Sequence, residues 1–82
     1  MDQQEARRFD QPVRFTLAGK VREVVYVGDA GLLLMHEWPL RTLRRERAMR
    51  AVLAALRDQR PISEARQAFV DATFELKIVQ AA

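Results

Sequence analysis

The stretch from Pro12 to Val27, PVRFTLAGKVREVVYV, decides the fold. Val13, Phe15 and Leu17 alternate with Arg14, Thr16 and Ala18, the period-two pattern of a strand with one buried face. After Gly19-Lys20, the run VREVVYV over 21–27 is rich in the β-branched and aromatic residues that suit a pleated, half-buried surface. Two such runs separated by a short turn predict an antiparallel hairpin with strands over 12–18 and 21–27. The turn holds a single Gly, which leaves its type open.

Downstream the period becomes helical. Gly28 ends the second strand, and Asp29 is placed to cap a short helix over 29–37. Leu33, Leu34, Met35 and Trp38 are its expected core residues, and Trp38-Pro39 stops it, because a residue before Pro is pushed out of the α region. Thr42 caps a stronger helix over 42–57, in which Met49, Val52, Leu53 and Leu56 fall at i, i+3, i+4 and i+7. On that phase Arg45 lies on the core side, with its stem along apolar surface and its head in water. Asp58 to Pro61 interrupts the pattern. Ser63 then caps a third helix over 62–75, with Glu64 well placed against the helix dipole and Ala65, Phe69, Ala72 and Leu76 as the buried stripe. Leu76 to Val79 reads as a short third strand. Residues 1–8 are polar and expected to form a flexible arm ahead of a single domain over 9–80, anchored first by Phe9. The expected fold is α+β, in the order β-β-α-α-α-(β), with helices covering one face of a small antiparallel sheet.

Composition narrows the chemistry. A chain of 82 residues is one domain and has little volume for a deep pocket beside its core. The absence of cysteine excludes a disulfide framework, a thiolate zinc site and a cysteine nucleophile. The longest apolar run, Ala30 to Met35, falls far short of the ~20 residues of a membrane helix. The opening MDQQEARRFD has no apolar stretch of the kind a secretory signal carries, so the expected location is the cytoplasm. His36 is the only histidine and lacks companions for a metal site. Ser63, the only serine, is better used as a cap than as a nucleophile. Asp58, Glu64 and Asp71 belong more simply to caps and solvated faces than to a paired-carboxylate site. Gly28-Asp29-Ala30-Gly31 and Gly19-Lys20 match neither dinucleotide nor P-loop spacing. No enzyme activity, cofactor, metal or small-molecule substrate is expected.

The net charge is +3, and twelve of the fourteen basic residues are Arg. Residues 41–50 hold five Arg and one Glu, or +4, which leaves −1 for the remainder. On a helix Arg44, Arg47 and Arg50 form an i, i+3, i+6 ridge nearly opposite the apolar stripe. Such a row can lie along phosphates, and the two later helices have a helix-turn-helix outline. Yet Glu64 and Asp71 would bring negative charge to DNA, and no Asn or Gln cluster opens the last helix to read bases. Trp38 and Phe74 are candidate aromatic contacts, Trp38 joining the arginine ridge as a candidate interaction surface. The expected function is contact with another macromolecule, a protein partner or a second copy of the chain. The open edges of a short sheet add to that expectation. Nucleic-acid binding through Arg44, Arg47 and Arg50 is the alternative.

Three local patterns, Phe9-x-x-Pro12-Val13, Trp38-Pro39 and Ala65-Arg66-x-Ala68-Phe69 with a trailing Ile78-x-Gln80, occur here in order and at family-like spacing. Together they make the chain, from Phe9 to Val79, resemble the small bacterial domain-of-unknown-function family 982. Two positions depart from that pattern: Lys77 stands where the family usually has Gly before its last strand, and Arg45 where it tends to have an aromatic residue. The resemblance implies a fold and supplies no catalytic or binding residues.

Overall fold

The chain reverses direction at Ala18-Gly19. The computed structural model describes residues 7–81, with side chains to residue 77. In it β1 (Arg8–Leu17) pairs antiparallel with β2 (Lys20–Tyr26). Ala18 and Gly19 have φ of +54° and +80°. Two consecutive left-handed residues make a type I′ turn, whose twist matches that of the strands it joins. The turn therefore lies one residue earlier than expected, and Lys20 opens β2. Pairing is regular from Val13↔Val24 to Leu17↔Lys20 and irregular between Arg8 and Val13. Pro12, which has no N–H to give a ladder, lies in that irregularity. The Arg66 guanidinium donates there to the carbonyls of Gln11 (2.9 Å) and Pro12 (3.5 Å).

Residues 1–6 of the expected arm lie outside the described residues. Arg7 and Arg8 belong to the folded domain. Arg8 opens β1 opposite Tyr26, and the Arg7 carbonyl accepts from the Val27 N–H at 3.0 Å.

Three helices follow: α1 (Val27–His36), α2 (Leu43–Leu56) and α3 (Ile62–Ala81). α1 begins where β2 ends, so Gly28 is helical and Asp29 sits inside the first turn rather than at the cap. The N-cap is Tyr26, which makes no side-chain capping bond. α2 starts as the sequence indicates: Thr42 Oγ1 accepts from the Arg45 N–H at 3.3 Å. Its hydroxyl also donates to Glu75 Oε1, tying the start of α2 to α3. α2 ends in a Schellman arrangement, with Gln59 N–H donating to the Ala54 carbonyl at 2.8 Å and Asp58 N–H to Ala55 at 3.1 Å. Asp58 takes the left-handed position at φ +60°, where Gly is usual. α3 begins at Ile62, directly after Pro61, which places Ser63 within the first turn and not at the cap.

The expected third strand over 76–79 is not formed: α3 continues through it to Ala81. No Gly or Pro stands between Ile62 and Ala81 to stop the helix. The Ala65-Phe69-Ala72-Leu76 stripe also holds its phase, so Leu76 is buried as part of a helix face. Lys77 accordingly sits within a helix and not at a left-handed cap.

α1 covers β2, α3 covers β1, and α2 packs on α1 and α3 as the outer layer. At the centre Phe69 meets Phe15 edge-on (5.5 Å between ring centroids, 85°), Trp38 at 5.7 Å and Phe9 at 6.2 Å. Two expected core residues are corrected. Met35 is 49% exposed, and Leu53 is 39% exposed. α2 buries Ala48, Val52 and Ala55 instead, with Met49 and Leu56 only half-buried beside them. Small side chains allow this close approach: a Cβ on Gly31 of α1 would come within 3.2 Å of Val52 Cγ1.

Candidate functional site

The face that α2 turns to solvent follows from the face it buries. With Ala48, Val52 and Ala55 inward, Arg44, Arg47 and Arg50 point outward, and all three are exposed. Arg45 lies between the two faces. Its Nε donates to the Leu34 carbonyl at 2.9 Å, near the C-terminus of α1, where a cation also suits the helix dipole. Its head group is thus engaged with α1 and not simply solvated.

The arginines fall into two groups. Arg7, Arg14, Arg22, Arg45, Arg60 and Arg66 each donate to a carboxylate or carbonyl. Arg8 lies over the Tyr26 ring. The side chains of the other five, Arg41, Arg44, Arg47, Arg50 and Arg57, engage no described residue, and all lie on α2 or its flanks. Arg44 and Arg45 share the first turn of α2 with Glu46, at the end where the dipole favours anions, and Arg57 stands at the C-cap.

Arg47 and Arg50 overhang an open recess of about 450 Å³ between α2 and α3, floored by Ala51, Ala54 and Ala68. The groove continues past Arg47 and Ala68 into a second recess bounded by Arg44, Asp71 and Phe74. The carboxylates on the α3 bank are already engaged. Glu64 accepts from Arg60 at 3.2 Å and Asp71 from Gln67 at 3.1 Å. Phe74 is 48% exposed, with Lys77 Nζ 5.0 Å from its ring centre.

Trp38 does not belong to this surface. It is 8% exposed and packs between Phe15 and Phe69, and its Nε1 finds no acceptor among the described residues. Trp38 is therefore a core residue and not an exposed one, whereas Arg44, Arg47 and Arg50 are exposed, and Arg60 and three alanines line the same recess as Arg47 and Arg50. Of the floor, Ala68 belongs to a run of small residues on α3 that already suits close helix packing, whereas Ala51 and Ala54 join it only where α2 meets α3.

The remaining polar groups sit apart from the groove's arginine bank. Arg7 forks onto both Asp58 oxygens and also donates to the Ala55 carbonyl. The hydrogen bond from Arg7, aided by its charge, holds the Asp58 carboxyl below its ordinary value. Glu37 is likewise lowered, first by the hydrogen bond from Arg22 (2.9 Å) and then by the charges of Arg22 and His36. Gly28 to Gly31 is continuous helix, with no loop to cradle a phosphate. Among the described residues no group of three or more His, Cys, Asp or Glu could hold a metal ion. Nor, among them, is any helix long and apolar enough to cross a membrane.

Fold and surface together define a small α+β domain whose outermost helix presents exposed arginines, unpaired among the described residues, beside an alanine-floored groove. The chain belongs to the family described as "Protein of unknown function (DUF982)", whose model matches residues 11–80. No curated protein and no solved structure matches it. Membership agrees with the resemblance read from the sequence and brings no activity with it.

Proposed function

We propose that this domain is a non-catalytic protein-interaction module that engages an acidic partner through the outer face of α2. The observation that carries the reading is the segregation of the arginines: those elsewhere in the fold have local partners, while the five that engage no described residue lie on one helix or at its two ends. Arg44 stands at the positive end of α2, where a cation is mildly unfavourable, and guanidinium groups are well suited to charge-assisted bonds with carboxylates. The alanine floor beside them offers apolar contact, which a purely electrostatic anion site would not need.

The test compares the wild-type chain with Arg44→Gln/Arg47→Gln/Arg50→Gln as bait in native extract, half of it nuclease-treated. A protein retained after nuclease treatment and lost with the triple variant is the expected result. Capture that vanishes with nuclease would instead favour nucleic-acid binding. On the proposed reading, purified wild type binds duplex DNA no tighter than about 10⁻⁴ M at physiological salt.

A further inference from the structure

We infer that the α2–α3 groove receives an acidic amphipathic helix of the partner, an inference that rests on α2 being a protein-binding face. The first argument is shape. The groove follows α3 from Glu64 to Phe74, about 15 Å at 1.5 Å per residue, which is the length of roughly three helical turns. Its floor is Ala51, Ala54 and Ala68, side chains short enough for another helix axis to come close.

The second argument is spacing. Arg44, Arg47 and Arg50 advance by about 4.5 Å each along α2. Carboxylates at i, i+3 or i+4 on a facing helix advance by about 4.5–6 Å, so they keep pace with the arginines. Alternate side chains of an extended peptide advance by about 6.8 Å and fall out of step within the groove.

The third argument is the sign of charge on each bank. The α2 bank carries three cations that pair with no described residue. On the α3 bank Glu64 and Asp71 are held by Arg60 and Gln67. A helix with carboxylates along one edge and apolar residues toward the floor meets both banks. A polyanion charged on every side would set phosphates against Glu64 and Asp71. Phe74, half-exposed at the far end, gives the apolar edge of the helix a terminal contact.

The experiment uses the full chain and a fluorescent, end-capped peptide of about fourteen residues, with Ala and Leu on one face flanked by Glu. A second peptide of identical composition carries D-residues at its centre, so it keeps the charge and cannot form the helix. A short DNA duplex is the third probe. The expected result is micromolar binding of the helical peptide, weakened about tenfold or more by the D-residues, by Arg47→Gln and by Ala54→Gln. Ala54→Gln fills the floor without altering charge. Arg47→Gln, at an exposed site, supplies an independent readout if the first variant perturbs the fold, and circular dichroism monitors both. Equal binding of the two peptides, insensitive to Ala54→Gln but lost with the arginines, would overturn the helix and leave the acidic-partner reading standing. Binding of the duplex alone, or of no probe, would overturn both.

Discussion

Ala18 holds a backbone conformation at φ +54° that L-residues with a Cβ avoid, because the type I′ turn demands it at both central positions. Ala18→Gly should therefore stabilise the hairpin by about 1 kcal/mol, read as a higher urea midpoint at unchanged slope. Asp58 is also left-handed, and its side chain gives it a second role. Because Arg7 lowers its carboxyl below the ordinary 3.8, the folded chain holds that proton less tightly than the unfolded one. The contribution is complete above pH 3.8 and is lost as pH falls through the lower folded value. Glu37, lowered by Arg22 from an ordinary 4.5, acts with the same sign. Asp58→Asn keeps a residue that tolerates the left-handed position and removes the titrating group. Acid titration of the variant, followed by circular dichroism, should show a shallower loss of stability over this range than wild type. Both pairs are exposed, so added salt should shrink the difference.

α2 and α3 show which parts of an element a sequence reveals. The stripe of α3 was legible because Phe69 and Leu76 are large and fall with Ala65 and Ala72 at helical spacing. Of the buried face of α2 only Val52 was legible, because its other members, Ala48 and Ala55, are small. Met49, Leu53 and Leu56 outweigh those small residues in any apolar pattern, yet Met49 and Leu56 only flank the contact and Leu53 stands partly in water. The end of α3 misled for a different reason: Ile78-Val79 has β-branched character, and only the lack of a helix breaker argued for continuation. Arg44, Arg47 and Arg50 could be placed from their spacing alone, and remain exposed despite the shift in phase. Trp38 could not, since its burial depends on Phe15 and Phe69 arriving from distant elements. The packing has measurable consequences. Phe69→Ala should cost about 3–5 kcal/mol, because it empties the point where β1, α3 and the α1–α2 connection meet. Leu53→Ala should cost less than ~1 kcal/mol, as expected for a side chain that already stands partly in water. Denaturant titration of the two variants separates the observed phase of α2 from one that buries Leu53.

At the scale of the molecule α2 packs mainly on α1 and α3 rather than on the sheet, and it carries cations that no described residue matches. Part of its local electrostatics opposes its own stability: Arg44 and Arg45 lie at the positive helix end and Arg44, Arg47 and Arg50 repel one another at i, i+3, offset in part by Glu46 in the first turn and Arg57 at the C-cap. Such a conflict between local preference and global fold is characteristic of a functional surface. It can be measured without knowing the partner. Arg44→Gln/Arg47→Gln/Arg50→Gln keeps the buried face of α2 and removes three like charges, of which Arg44 lies in the first turn. The variant should be more stable than wild type at low ionic strength, by about 0.3–1 kcal/mol for the dipole contribution alone. The gain should fade toward molar salt, as the screening length shrinks from about 30 Å at 0.01 M to about 3 Å at 1 M. Thermal unfolding of both proteins across that salt range supplies the comparison. If the variant is instead less stable at low salt, the arginines support the isolated fold through contacts of their own. The case for a surface held open for an acidic partner would then be lost.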